Sequence, residues 1–488
     1  MSTGFDDKWQ RTAIHWAVLG GLILMAPAAR AQVTPERLRC EHLTDPLGID
    51  VTEPRLSWQL ASRPQERGQR QTAWRILAAS SRESLEQDEG DLWDSGKIDS
   101  EQSILVPYGG TSLPSRQRCW WKVMAWDAEG RPGPWSAPAF WEMALLSSRD
   151  WQAQWIAGSA EEASPPPLEP APMFRREFQV ARPVRRARAY VTGLGYFELS
   201  LNGRKVGDHE LDPVKSRYDR RVYYLTFDIT DDLRTGDNAV GVMLGTGWFN
   251  MHTKAVWGFG QAPWRARPRL LCQIEIEYDD GQVQRVVSDS SWKVSSGPVV
   301  FDGIRNGETY DARREQPGWD RPRYDDTAWK SAAEVSGPGG VLSAQMLPPI
   351  RATRILKPKS VRVVQPGVWV YDFDQNLAGK LQLSVTAPAG TKISLKQGER
   401  LHPDGTVQQK EIARFIKSGA LQTDTYICQG QGLEVWEPRF VYHGFQYVEV
   451  RGLPEAPALD LLRAKVLHTD FASAGSFSCS QELFNRIQ

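Results

Sequence analysis

Glu308, Asp311, Asp372 and Asp374 are the carboxylates whose surroundings invite a chemical reading. Paired carboxylates can divide general-acid and general-base work between them. Glu308 and Asp311 are read as lying in one loop. Asp372 and Asp374 are read on the same side of a strand, because side chains alternate along it. Turn or inter-strand hydrogen bonding is the preferred role for all four. A second concentration of useful groups is the Gly-punctuated stretch 245–260, which carries Trp248, Phe249, Asn250, His252 and Trp257. Aromatic rings offer flat apolar platforms with a polar handle, and amides hydrogen-bond hydroxyls. Trp248, Asn250 and Trp257 are therefore candidate sugar contacts, although a sandwich-core role is the preferred reading for the two Trp residues. Other chemistries are not supported. There is no GxSxG nucleophile elbow and no GxxxxGK[ST] phosphate loop. Gly258-Phe259-Gly260 lacks the third glycine and the strand–helix context of a dinucleotide site. His209, His252, His402 and His443 have no partner at ligand spacing. Cys40, Cys119, Cys272, Cys428 and Cys479 are scattered and odd in number, which indicates neither a disulfide framework nor a zinc site.

The elements that must position these groups are strands. Short runs rich in Val, Ile, Tyr, Phe and Trp alternate with polar residues and are separated by Gly, Pro, Asn and Asp clusters, the pattern of β-sandwiches. The fold class is all-β, with three consecutive sandwiches. Segment 34–145 reads as a fibronectin type III or immunoglobulin-like sandwich, with strands at 74–79, 120–127 and 139–143. Segment 151–350 reads as a jelly-roll, with Asn202-Gly203 the strongest hairpin signal in it. Segment 351–470 reads as a second, concanavalin-like sandwich, with separate strands at 368–373 and 381–385. At the C-terminus Ser480 is a candidate N-cap, and Leu483 and Ile487 share one face of a short helix.

The chain has 488 residues, enough for about three domains. Lys plus Arg and Asp plus Glu are 59 each, and this balance speaks against a nucleic-acid partner. The 20 Trp are the unusual feature of the composition. Residues 1–31 read as a secretory signal: Lys8 and Arg11, then an apolar run at 17–26, then Ala29-Arg30-Ala31 before Gln32. The apolar run is short of the roughly 20 residues that a spanning helix needs. An exported protein with no membrane contact after signal removal is the expectation.

Six ordered stretches resemble the bacterial α-L-rhamnosidase family of glycoside hydrolases. They are 196–208 (YFELSLNGRKVGD), 244–250 (LGTGWFN), 306–313 (NGETYDAR), 371–379 (YDFDQNLAG), 437–444 (EPRFVYHG) and 475–480 (GSFSCS). The resemblance implies a string of β-domains followed by a helical toroid, which would start near Ser480, so that 475–488 would open it. It implies hydrolysis of terminal α-L-rhamnose with inversion by acids on that toroid, so no catalytic residue is carried onto this chain. It also implies a rhamnose-containing partner. Some family members bind calcium in a middle β-domain, which makes Asn202, Asp208, Asp237 and Asn238 candidates for calcium as well as for turns. A non-catalytic carbohydrate-binding protein is the alternative reading.

Overall fold

A computed structural model describes residues 33–487, apart from 63–66, 161–165 and 167. The expected signal at 1–31 lies outside the described residues. The described chain is built almost entirely of strands, as the alternating pattern predicts.

The first sandwich packs a three-stranded sheet (Val33–Cys40, Arg55–Ser62 and Val106–Pro107) on a seven-stranded one whose centre is Arg118–Trp126 between Ala73–Ala79 and Ala139–Met143. Its interior is tryptophan. Trp58, Trp74, Trp121 and Trp141 are buried together, with Trp58 and Trp74 in edge contact at 6.0 Å between centroids. Here the core reading of the Trp residues holds, because edge-to-face packing lets large flat rings fill the space between two sheets. The sandwich is fastened to the next one by ion pairs. Arg188 donates from Nε to Glu142 Oε1 at 2.7 Å, and Arg116 from Nη2 to Glu275 Oε1 at 2.8 Å.

The middle sandwich has one sheet centred on Val184–Leu194 and Arg269–Tyr278 and another centred on Pro172–Val180 and Gly236–Gly245. Asn202 and Gly203 both take positive φ, at 53° and 84°, and turn Tyr196–Leu201 into Arg204–Lys205. That is the geometry a two-residue hairpin loop requires and the reason for this dipeptide.

Two features of the third sandwich depart from the sequence reading. Residues 368–373 and 381–385 belong to one strand, Val368–Val385, with a register shift between Asp372 and Leu377 against His443–Arg451. Asp374 has φ +62° within this irregularity, so strict alternation fails and Asp372 and Asp374 do not form a same-face pair. Asp372 Oδ1 instead accepts from the Asp374 amide at 2.8 Å and Asp374 pairs with Lys359 at 2.8 Å. The second departure is a hairpin, Val299–Gly303 with Gly307–Asp311. It lies within segment 151–350 yet pairs in parallel with Thr423–Ile427 of the third sandwich. Glu308 and Asp311 are thus strand residues, not loop residues. This crossing hairpin, with a single buried cluster that includes Met173, Tyr196 and Met243 as well as Leu381, Phe440 and Val448, joins the two sandwiches across a common core.

The terminal helix Glu482–Ile487 exposes Leu483, Phe484 and Ile487. Four cysteines are buried, Cys479 is half-buried, and none is bonded to another.

Candidate functional site

Four of the family-like stretches, 196–208, 244–250, 306–313 and 437–444, far apart in sequence, converge on the seam between the middle and third sandwiches, while 475–480 lies exposed away from it. Close approach dictates several of their residues. A Cβ on Gly245 would lie 2.4 Å from Cγ of Phe440, so the LGTGWFN strand and the EPRFVYHG loop can meet only if that position has no side chain. Gly307, at φ +125°, sits where a Cβ would lie 2.2 Å from the Thr423 carbonyl oxygen.

Beneath this contact lies a sealed group of acids. Glu308 is 0% exposed. One of its carboxyl oxygens accepts from the amides of Arg439 at 2.9 Å and Phe440 at 3.1 Å, while the other has no partner among the described residues. Burial, with Asp302 and Asp424 adding repulsion, pushes Glu308 up to about 8 despite those two amides. Asp302 is pushed up to about 6 by burial, against hydrogen bonds from Thr246. Asp424 accepts from the Glu308 amide at 2.9 Å and from Gln397 Nε2 at 2.6 Å, and its Oδ1 lies 3.0 Å from Nε2 of buried His443. His443, isolated in sequence, acquires its partner only through the fold.

Beside the seal an open cleft of about 410 Å³ is lined by Glu198, Lys380, Glu437 and Arg439, with Trp319 and Trp436. Its electrostatics are opposite to those of the sealed acids. Burial raises Glu198, but Arg439, Lys205 and Lys380 outweigh it and hold the carboxyl at about 2. Burial likewise opposes ionisation of Glu437, and Lys380 and Lys465 reverse it, so this group too lies below the usual carboxylate range. Lys380 Nζ is buried between Glu210 Oε2 at 2.8 Å and Glu437 Oε1 at 3.3 Å.

Over the same seam stands the aromatic loop. Trp257 is 51% exposed, with its centroid 5.5 Å from that of Phe415 in the third sandwich. Backbone bonds zip the two loops together, Val256 donating to the Phe415 carbonyl at 3.1 Å and Lys417 to that of Lys254 at 2.7 Å. Trp248 is half-buried, edge-on to Phe259 at 5.0 Å, with Lys215 Nζ 4.2 Å from its centroid. Arg305 lies over both rings, Cζ 4.1 Å from the Trp257 centroid and 5.4 Å from that of Trp248. Trp248 and Trp257 are thus brought together with a cation between them, and Trp257 presents a ring to solvent. Asn250 does not share that surface. It is 1% exposed, and its Oδ1 accepts from Arg265 Nε at 3.1 Å, so it orients a guanidinium where a sugar contact was expected. Sequence reading missed Arg305 and Phe415, since only the pairing of two sandwiches places them beside Trp257.

The four calcium candidates are engaged within the fold. Asn202 Nδ2 donates to Asn238 Oδ1 at 2.8 Å, and Asn238 Nδ2 donates to the Arg234 carbonyl at 2.6 Å. Asp237 pairs with Arg323 at 3.0 Å and accepts from Gln179, and Asp208 pairs with Arg351 at 2.8 Å. Among the described residues no three His, Cys, Asp or Glu side chains form a metal-holding group. At these positions the side-chain oxygens face amide and guanidinium donors, the contacts that turn and ion-pair roles require.

Comparison with known proteins matches this architecture domain by domain. A family model for the Rha78A-like N-terminal immunoglobulin domain matches residues 35–147. The α-L-rhamnosidase N-terminal domain model matches 182–354, and the bacterial α-L-rhamnosidase concanavalin-like domain model matches 362–468. An α-L-rhamnosidase of Formosa agariphila is 35% identical over 466 residues, 91% of this chain and 48% of the relative. A solved α-L-rhamnosidase structure from Dictyoglumus thermophilum is 37% identical with a TM-score of 0.85, over 93% of this chain and 51% of that one. The Streptomyces avermitilis α-L-rhamnosidase complexed with L-rhamnose is 29% identical with a TM-score of 0.83, over 90% of this chain and 57% of that one. The chain spans 48% to 58% of the length of the curated relatives it matches. With its three β-domains matched in order, this chain belongs to the bacterial α-L-rhamnosidase family, of which it carries the N-terminal β-domains.

Proposed function

We propose that the chain is the N-terminal portion of an exported α-L-rhamnosidase, the enzyme that removes terminal α-L-rhamnose from glycosides or polysaccharides. Within it these β-domains form scaffold and sugar-facing surface, and they do not turn substrate over. One observation carries this reading: proton-holding and access are separated. The two carboxyl groups pushed up to about 6 and about 8, Asp302 and Glu308, are sealed inside the seam. Glu198 and Glu437 line the open cleft but are held ionised by Arg439 and the lysines around them. Inverting hydrolysis needs a protonated acid and an ionised base facing one substrate across about 6.5–9.5 Å. Glu198 and Glu437, neutralised by cations, offer no proton to a leaving oxygen in that cleft.

A single experiment tests this. The whole chain, produced with its own N-terminus in a bacterial host, is recovered outside the cytoplasm. Its intact mass should start at Gln32, as the Ala29-Arg30-Ala31 site implies. The recovered protein should release no p-nitrophenol from p-nitrophenyl α-L-rhamnoside. Turnover would place a working acid pair among these sheets, and retention in the cytoplasm would remove export.

The exposed Trp257 ring favours a second reading, a rhamnose-binding protein without turnover. Calorimetric titration with L-rhamnose, with and without calcium, on the parent chain and on Trp248→Ala separates it. A flat titration of the parent chain rejects it.

A further inference from the structure

Most guanidinium groups in this molecule that depart from ordinary basicity are strengthened by a carboxylate partner. Arg116 does so against Glu275, Arg188 against Glu142, Arg351 against Asp208 and Arg439 against Glu198. Arg265 and Arg305 run the other way. Both are weakened by burial, with no carboxylate offsetting it. Arg305 Nε is buried with no hydrogen-bond partner among the described residues. Arg265 is held by neutral groups alone: Asn250 Oδ1 at 3.1 Å, the Gly260 carbonyl at 3.0 Å and His252 Nδ1 at 3.0 Å. The two are carried by the same surface, because the loop that bears Asn250, His252 and Trp257 holds Arg265 from one side and places Trp257 under Arg305. Lys215, over Trp248, is a third cation there without a carboxylate partner among the described residues. The acid Glu411 of the neighbouring turn is engaged by Arg414 at 3.8 Å.

A desolvated cation with no counter-ion is costly to a fold unless something supplies the opposite charge. Rings beside that cation make the missing partner more specific, since a flat ring next to a fixed positive charge matches a sugar ring bearing an acid group. We propose that the Trp248–Trp257–Arg305 surface binds an acidic glycan residue, its ring against Trp257 and its anionic substituent on Arg305. This goes beyond the rhamnose reading and stands independently of it, since rhamnose offers Arg305 hydroxyl acceptors but no counter-charge. The shared chemistry is a pyranose with one negative group, which can be the carboxylate of a uronic acid or a sulfate ester.

The test is calorimetric titration of the whole chain with three probes: trigalacturonate, its fully methyl-esterified form, and a carrageenan disaccharide monosulfate. The free acid should bind roughly tenfold to hundredfold more tightly than its neutral ester, the range of a charge-assisted contact. Raising salt from about 50 mM to about 300 mM should weaken the acid and leave the ester unchanged, as expected for a partly exposed ion pair. Arg305→Gln should abolish the preference for the acid while the thermal midpoint stays level or rises, because a half-buried charge without a counter-ion has been removed. Trp257→Ala should weaken acid and ester alike. Preferential binding of the monosulfate would assign the ester sulfate as the anion, and preferential binding of trigalacturonate the carboxylate. Equal affinity for acid and ester without preferential binding of the monosulfate, an Arg305→Gln chain that keeps the preference for the charged probe, or no heat with any probe would each overturn the proposal.

Discussion

Replacing Glu308 by Gln should change how stability depends on pH in a predictable window. In the folded chain Glu308 is raised from 4.5 to about 8, first by burial and then by Asp302 and Asp424. The folded state therefore holds a proton that the unfolded chain releases. This stabilisation is fully present below the unfolded value and is lost as pH rises through the folded value. One pKa unit corresponds to about 1.4 kcal/mol, so the whole shift is worth at most about 5 kcal/mol between acid and pH 9. Two other groups perturb the lower part of that range. Asp302, raised to about 6, adds to the same trend. His252, lowered to about 4 by burial and Arg265, opposes it below its ordinary value. From about pH 6.5 to 8 Glu308 is the dominant contributor, with an expected loss approaching about 2 kcal/mol. In Glu308→Gln one amide oxygen can still accept from the Arg439 and Phe440 amides. The new NH2 faces a place where the carboxyl oxygen has no partner, at a cost of about 1–3 kcal/mol. The variant should accordingly be less stable than the parent near pH 4.5, where the parent still holds nearly all of this stabilisation, and more stable near pH 9. Urea midpoints followed by tryptophan fluorescence at half-unit pH steps would show the two curves crossing. Parallel curves between pH 6.5 and 8 would mean that Glu308 carries no extra proton in the fold, and the account of the sealed acids would fail.

Two further substitutions probe the seam itself. Gly245→Ala should destabilise the chain by about 1–3 kcal/mol, since the added methyl must push against Phe440. Phe440→Leu should recover part of that loss in a double-mutant cycle by urea denaturation, and simple additivity would show that the two do not clash. Lys380→Met should cost about 3–5 kcal/mol by leaving Glu210 and Glu437 without their shared cation. Adding Glu210→Gln should restore part of it, and an equal or larger loss in the double variant would show that the carboxylates do not depend on Lys380.

Much of this molecule was legible in the order of its residues. Period-two alternation and the turn dipeptides are local properties, so the all-β class and the Asn202-Gly203 hairpin follow from the chain alone. The order of six family-like stretches sufficed for the resemblance, which the domain-by-domain matches bear out. What tertiary structure decided was every relation across the seam. No local signal sends the 299–311 hairpin into the neighbouring sheet, keeps Val368–Val385 one strand through its irregularity, or pairs His443 with Asp424. The chemical character of the acids is settled at the same level. Glu198 and Glu308 are the same residue type, yet one is held at about 2 by neighbouring cations and the other at about 8 by burial. A pKa reports solvent and neighbouring charge, and both depend on contacts between residues more than a hundred positions apart. The same holds for the aromatic surface: Trp248 and Trp257 could be nominated from their spacing, but only the fold sets Arg305 over them and turns Asn250 inward onto Arg265.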